Sequence, residues 1–516
     1  MPDLPDLPDL PDLADQPDEP DLPDRAPRRS RPGRRAPLGR PALPTPDLAA
    51  LRRRLDPRGR GRPDVLTTLA VGLPLLTLVA GLLVHPHGVD GLGPQAPLDA
   101  PLVRTSVVCP ASPGGRLLVA TDAELPGGRG TVAVRSAGVG ARSAPLTIRR
   151  TVVAQRSAGQ RAGVVVGEDA AASALSVLGV LGGRLAAGAC AVPSADQWFT
   201  GLGADATHRS ILELTNPDAG RAIVTLEALG TAGPIDAPLL RGLAVPGRRT
   251  VRIDLAQQLP VRGGLALHVT TDRGRVAASV LDRVVPLGRG TIVRETLPAQ
   301  QRPARTVALL GLPARASERT LSLANPGDDA VRVRLQVVGP ESTFTPSKAR
   351  EIVLDPRSAR SVGVDAVLAG GAAADAVGLV VTGTAPVTAT LRARVDGDLV
   401  EVAPGDALDA TTVLPLPAGR SEVVLADAAA TGEARIRAWD ARGRQVLARA
   451  VDLVPGRAVT LSLPASSRLV AVEPQRTSVA GAIVATASGR TGGAVVLPLR
   501  ELARRSLQPA VRPGLP

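Results

Sequence analysis

His85, His87, His208 and His268 are the four histidines of the chain, and imidazole is the side chain best suited to proton transfer or metal binding near neutral pH. His85-Pro86-His87 follows an apolar run and reads as a linker. His208-Arg209-Ser210, with Asp205 just before, contains the residue types of a hydrolytic triad. A triad is defined by geometry, however, and neighbours in sequence seldom form one. His268 stands between Leu267 and Val269 on an alternating stretch, so it points away from the face those two bury. Asp328-Asp329 and the pair Asp396 and Asp398 fall at turn signals, where a carboxylate caps its own backbone. A calcium loop would need more oxygen ligands at regular spacing. The chain has no phosphate-cradling glycine loop, no G-x-S-x-G elbow and no His-Glu-x-x-His pair. These residues therefore predict no catalytic group, no metal site and no cofactor.

Two other pairs stand out. Cys109 and Cys190 are the only cysteines, and both fall in the part predicted to lie outside the cytoplasm, where two thiols usually pair. A structural disulfide is the expectation. Trp198 and Phe199 are half of the four aromatics of the Tyr-free chain. They read either as an exposed binding anchor or as an interdomain plug between the first and second β domains. Trp439 reads as core. So few aromatics argue against a cleft that stacks glycans and against a nucleic-acid platform.

Position along the chain depends first on residues 65–84, from Val65 to Val84, VLTTLAVGLPLLTLVAGLLV, which carry no charge. As a helix they would span about 30 Å, the thickness of a bilayer's hydrocarbon core. Arg52, Arg53, Arg54, Arg58, Arg60 and Arg62 precede the run, and no Lys or Arg follows between positions 85 and 101. The positive-inside bias then keeps residues 1–64 in the cytoplasm and places the bulk outside. The run begins far from Met1 and lacks a small-x-small cleavage site, so a retained anchor is expected. Pro74 would kink it, which spans tolerate. Residues 1–24 repeat Pro-Asp-Leu and residues 25–62 are rich in Arg and Pro. Proline at every third position forbids helix, and such low-complexity sequence cannot repay the entropy of ordering. Residues 1–64 are therefore expected to be a disordered tail, and they contain no His or Cys for a zinc site.

Past residue 104 the apolar period is two. Val331-Arg332-Val333-Arg334-Leu335-Gln336-Val337 alternates cleanly, as do Val251-Arg252-Ile253-Asp254-Leu255 and Val459-Thr460-Leu461-Ser462-Leu463. Such runs predict antiparallel strands with one solvated face. Leu212-Glu213-Leu214-Thr215-Asn216-Pro217 returns as Leu321-Ser322-Leu323-Ala324-Asn325-Pro326, and later signals recur in the same order. The offset between Asn216 and Asn325 is 325 − 216 = 109 residues, one immunoglobulin-sized sandwich. The predicted fold class is all-β: tandem immunoglobulin-like antiparallel β-sandwiches, one transmembrane helix and a disordered N-terminal tail. The predicted segments are a tail over 1–64, the span over 65–84 and a linker over 85–103. A divergent first β domain follows over 104–196. Sandwiches are expected over 197–305, 306–411 and 412–498, stacked as a rod, with a flexible tail over 499–516. The first domain is hard to place at 182–190, which is rich in Ala and Gly, and a short helix is expected near 170–181.

Val108-Cys109-Pro110, Cys190 followed by Trp198-Phe199-x-Gly201, Leu214-Thr215-Asn216-Pro217 and Val276-Ala277-Ala278-Ser279-Val280-Leu281-Asp282-Arg283 belong together. With the anchor, they resemble an uncharacterised actinobacterial family of membrane-anchored secreted proteins, a domain of unknown function, over roughly residues 100–500. Gln197-Trp198 departs from the paired aromatics usual there. The resemblance implies an envelope location and a β-rich exterior, and it brings no catalytic residues.

The net charge of +13 is almost all arginine, Lys348 being the only lysine. A basic exterior suits anionic envelope polymers, lipid headgroups or other envelope proteins. The expected function is that of a non-enzymatic single-pass protein of the cytoplasmic membrane, with β-sandwich repeats outside for structural or binding roles. The alternatives are a transmembrane sensor with a charged cytoplasmic tail and an envelope glycan-modifying enzyme.

Overall fold

The computed structural model describes residues 65–83, 98–259, 263–285, 292–300, 302–487 and 492–508. The chain divides into two compact units, Met1–Gly93 and Pro94–Pro516. The tail predicted over 1–64 and the histidines His85 and His87 lie outside the described residues.

In the first unit the uncharged run forms the helix Val65–Leu83, 19 residues long with Pro74 inside it. Its described side chains, Val65 and residues 69–80, are all exposed. Among the described residues, no helix is long and apolar enough to cross a membrane.

The second unit is mostly β, built from small antiparallel sheets in sandwich-like pairs. Alternation is the cause: in Val331–Val338, Val331, Val333, Leu335 and Val337 are buried while Arg332 and Arg334 face solvent. Turns follow the expected chemistry. Asn216 Nδ2 donates to the carbonyls of Gly220 (2.7 Å) and Val245 (3.1 Å), and its Oδ1 accepts the N–H of Asp218. Asn325 repeats the pattern on Asp329, Asp355 and Gly327.

One strand order recurs four times. In the first sandwich, Ala154–Ser157, Arg116–Thr121, Leu175–Val180 and Ala187–Ala189 lie side by side. In the second the order is Thr250–Asp254, His208–Thr215, Ala277–Val284, Val293–Leu297. The third has Ser358–Gly363, Ser317–Asn325, the second half of Gly378–Val395, and Asp398–Val402. The fourth has Val459–Leu463, Arg420–Ala426, Ala480–Thr486, Ala494–Pro498. The first β domain thus shares the topology of the others. Of the stretch 170–181, where a helix was expected, only the start is helical, as the 3-10 turn Asp169–Ala172, and Leu175–Val180 is a strand. Ala174 adopts a positive φ of 52°, which ends the helical turn, and the stretch after it is a strand buried over Leu175–Leu178.

The sandwiches do not form a rod. The last strands of the four sheets, Ala187–Ala189, Val293–Leu297, Asp398–Val402 and Ala494–Pro498, meet in sequence around a common centre, the fourth touching the first. Val108, Val164 and Val166 pack on Ala277 between the first and second sandwiches. Trp198, Leu229 and Ala266 pack on Ala324 and Ala359 between the second and third. Val307 and Leu309 share a core with Ala482 and Val484 between the third and fourth. Leu118 and Leu178 share one with Leu414 and Leu425, closing the ring.

The predicted linker and C-terminal tail seal that closure. Leu98–Pro101 pairs antiparallel with Arg505–Gln508, so 499–516 is no free tail up to residue 508; the remainder lies outside the described residues. Arg504 adds bonds to Asp122 (3.0 Å) in the first sandwich and to the Thr411 carbonyl (2.8 Å) before the fourth. The Ala/Gly-rich stretch 182–190 supplies the first sandwich's strand at the common centre, Ala187–Ala189. A Cβ at Gly188 would fall 2.7 Å from Thr296 Cγ2, so the small residue permits the close approach of two sandwiches.

Candidate functional site

Cys109 and Cys190 are disulfide-bonded and buried, joining the end of Arg104–Cys109 in one sheet to the end of Ala187–Ala189 in the other. Both aromatics of the Trp198 pair are buried, at 5% and 0% exposure. Phe199 belongs to the core of the second sandwich. Trp198 is a plug, but against the third sandwich rather than the first. Its ring stacks on His268 at 4.0 Å between centroids, and His268 Nε2 reaches Asp196 Oδ1 at 2.8 Å. Trp439 is half-buried, with the Arg437 guanidinium 5.7 Å over its ring.

The triad residue types do come together, through a residue that sequence reasoning missed. His208–Thr215 pairs with Ala277–Val284 in register, which sets Ser210 opposite Asp282. Asp282 is fully buried; its Oδ1 accepts from Ser210 Oγ and its Oδ2 lies 2.6 Å from His208 Nε2. In a hydrolytic triad imidazole stands between serine and carboxylate and takes the serine proton. The carboxylate occupies the middle place here. Arg392 of the third sandwich contacts both ring nitrogens of His208, at 2.6 and 3.0 Å. The arrangement ties the second sandwich to the third. Asp205, the other candidate, accepts from Thr207 N and Oγ1 (both 2.7 Å) and His208 N (2.8 Å). Burial works to raise its pKa, but those bonds outweigh it and hold the carboxyl below the ordinary value.

Asp396 does sit in a turn, at φ 50°, paired with Arg315 at 3.0 Å. Asp398 does not. It begins an inner strand, only 2% exposed, beside Glu295 (1%) and Glu401 (2%). Glu295 Oε2, Asp398 Oδ2 and both Glu401 oxygens are buried without a hydrogen-bond partner among the described residues. Burial pushes the Glu295 carboxyl well above the usual range, and Asp398 and Glu401 push it further. Burial likewise raises Glu401, reinforced by Asp282 and opposed by Arg392. A lone acid in an apolar strand, as in Leu399-Val400-Glu401-Val402, is the signal that could have revealed them. Among the described residues no group of three or more His, Cys, Asp or Glu is placed to hold a metal ion.

The second feature is a cleft of about 460 Å³ between the first and second sandwiches, lined by Arg161, Arg249, Arg252 and the buried Glu213. Glu213 Oε1 accepts from Arg252 Nε at 2.6 Å and also from its Nη2, while Oε2 accepts the N–H of Ala111 at 3.1 Å. Arg161 also lines a smaller cavity of about 90 Å³ with Arg135, Arg142 and Arg156. Composition alone hid this cluster, because arginine is spread over the whole chain.

Fold and site together define a class: a closed ring of sandwich-like β units, disulfide-bonded, with an arginine-lined cleft between two of its members. The chain belongs to DUF5719, a family of unknown function, whose pattern matches residues 141–464. No curated protein matches it. A solved structure described as a tetra-tandem repeat in the extending region of a large adhesion protein aligns at 13% identity. The alignment covers 79% of this chain and 95% of that one, with a TM-score of 0.10. At that score the two do not superpose, and the likeness carries no argument.

Proposed function

We propose that this chain is a non-enzymatic, single-pass envelope protein whose ring of immunoglobulin-like sandwiches serves as a binding platform outside the cytoplasmic membrane. Residues 65–84 anchor it, and residues 1–64 stay in the cytoplasm. What supports the reading is the sequence 65–84, uncharged, entered from an Arg-rich stretch and left by one free of Lys and Arg; it extends past the described helix Val65–Leu83. The buried disulfide fits an oxidising compartment. His208, Ser210 and Asp282, the groups with catalytic potential, are engaged in the seam between two sandwiches, which favours binding over catalysis.

Lys348 makes the topology testable. It is the only lysine and is exposed, so besides the N-terminus it carries the sole primary amine. A membrane-impermeant amine reagent applied to intact cells should label Lys348 and leave the N-terminus unlabelled, and Lys348→Arg should abolish the signal. Labelling of Lys348 only after lysis overturns the proposal.

A further inference from the structure

The cleft between the first and second sandwiches is a charge arrangement that folding alone does not explain. Arg142, Arg156, Arg161 and Arg249 have no carboxylate partner among the described residues. The only acid lining either cavity, Glu213, is already committed to Arg252 and to a backbone N–H. Arg135 donates through Nη2 to the Pro217 carbonyl at 2.6 Å, yet its Nη1 is buried with no partner. Burial lowers the Arg135 pKa, and the positive charges of Arg248 and Arg104 lower it further against the opposing pull of the Asp218 carboxylate. Arg142, Arg156, Arg161 and Arg249 are exposed, so water and salt screen their repulsion, and an anion seated among them would relieve what remains of it.

The placement is specific. Arg161 stands on the wall common to both cavities. A Cβ at Gly138 would lie 2.9 Å from Arg161 Nη1, so the missing side chain lets the guanidinium approach the backbone closely. The smaller cavity suits one oxyanion group and the larger one a continuing chain. No aromatic lines either cavity, so recognition would run through charge and forked hydrogen bonds, which match oxyanions bidentately.

We propose that this cleft binds a polyanion with closely spaced oxyanion groups, one seated among Arg135, Arg142, Arg156 and Arg161 and the next against Arg161 and Arg249. The inference rests on the binding-platform reading and names its ligand class. Phosphate and carboxylate polymers share the chemistry, and the experiment separates them.

The test is titration of the full chain in detergent with inorganic polyphosphate, with polygalacturonate and with inorganic phosphate, at two salt concentrations. One polymer should bind more tightly than inorganic phosphate and weaken as salt rises. The double variant Arg156→Gln/Arg161→Gln should lose at least about tenfold in affinity for it, while Arg449→Gln, an exposed arginine on the fourth sandwich, changes it less than about twofold. The stronger polymer identifies the oxyanion. Melting curves check that each variant folds, and Arg142→Gln is the substitute if the double variant does not. Equal weakening by Arg449→Gln would mean diffuse attraction to the basic chain and overturns the proposal. So does binding of inorganic phosphate as tightly as either polymer. Lys348 labelling reports on compartment only, so a failed titration beside intact labelling removes the ligand and leaves the topology standing.

Discussion

Asn216 and Asn325 occupy the same place in successive sandwiches and make the same three bonds, fully out of water. Removing the amide leaves two carbonyls and an N–H unsatisfied. Asn216→Ala should therefore lower the unfolding free energy by about 2–4 kcal/mol in denaturant titration. These turns were legible because an Asn-Pro pair between apolar runs has one dominant use. The disulfide was legible too, and Cys109→Ser should cost about 2–5 kcal/mol by the same measurement. The buried acids were not, because alternation assigns a charged strand residue to the solvent face; the apolar neighbours of Glu401 were the one sign to the contrary. They set a pH dependence. The folded pKa values of Glu295 and Glu401 lie above the ordinary 4.5, so the protonated acids favour the folded state. That stability is fully present below 4.5 and is lost as pH rises through the folded values. The denaturation midpoint should fall over that rise, and Glu401→Gln, which stays neutral, should flatten the decline.

Among the elements, the inner strands explain most of what sequence periodicity could not supply. Alternation reveals a strand with one wet face, as in Val331–Val338. Ala187–Ala189 is buried against a neighbouring sandwich, so its residues are small for reasons of contact and carry no period. Leu175–Val180 has the same difficulty: a short, mostly apolar stretch without clean alternation suits a buried strand or a buried helix alike. Gly188→Val tests the close approach. Its side chain would meet Thr296, and overpacking of this kind costs about 1–3 kcal/mol, visible as a lowered melting temperature.

For the molecule as a whole, closure is the property with the largest consequence. Tandem repeats on a string can unfold one by one, but a ring whose interfaces are continuous with its cores should melt as a unit. The strand that closes it was invisible beforehand. Leu98–Pro101 and Arg505–Gln508 lie some 400 residues apart, and neither alternates. The two ends also bring the first and fourth sandwiches together.

Ala100 and Ser506 face one another in that closing pair. The full chain carrying Ala100→Cys and Ser506→Cys, oxidised mildly and run under non-reducing denaturing conditions, should form an intramolecular crosslink in nearly every molecule, beside the native Cys109–Cys190 bridge. A chain that leaves the two new thiols free, or links them only between molecules, would contradict the closed ring.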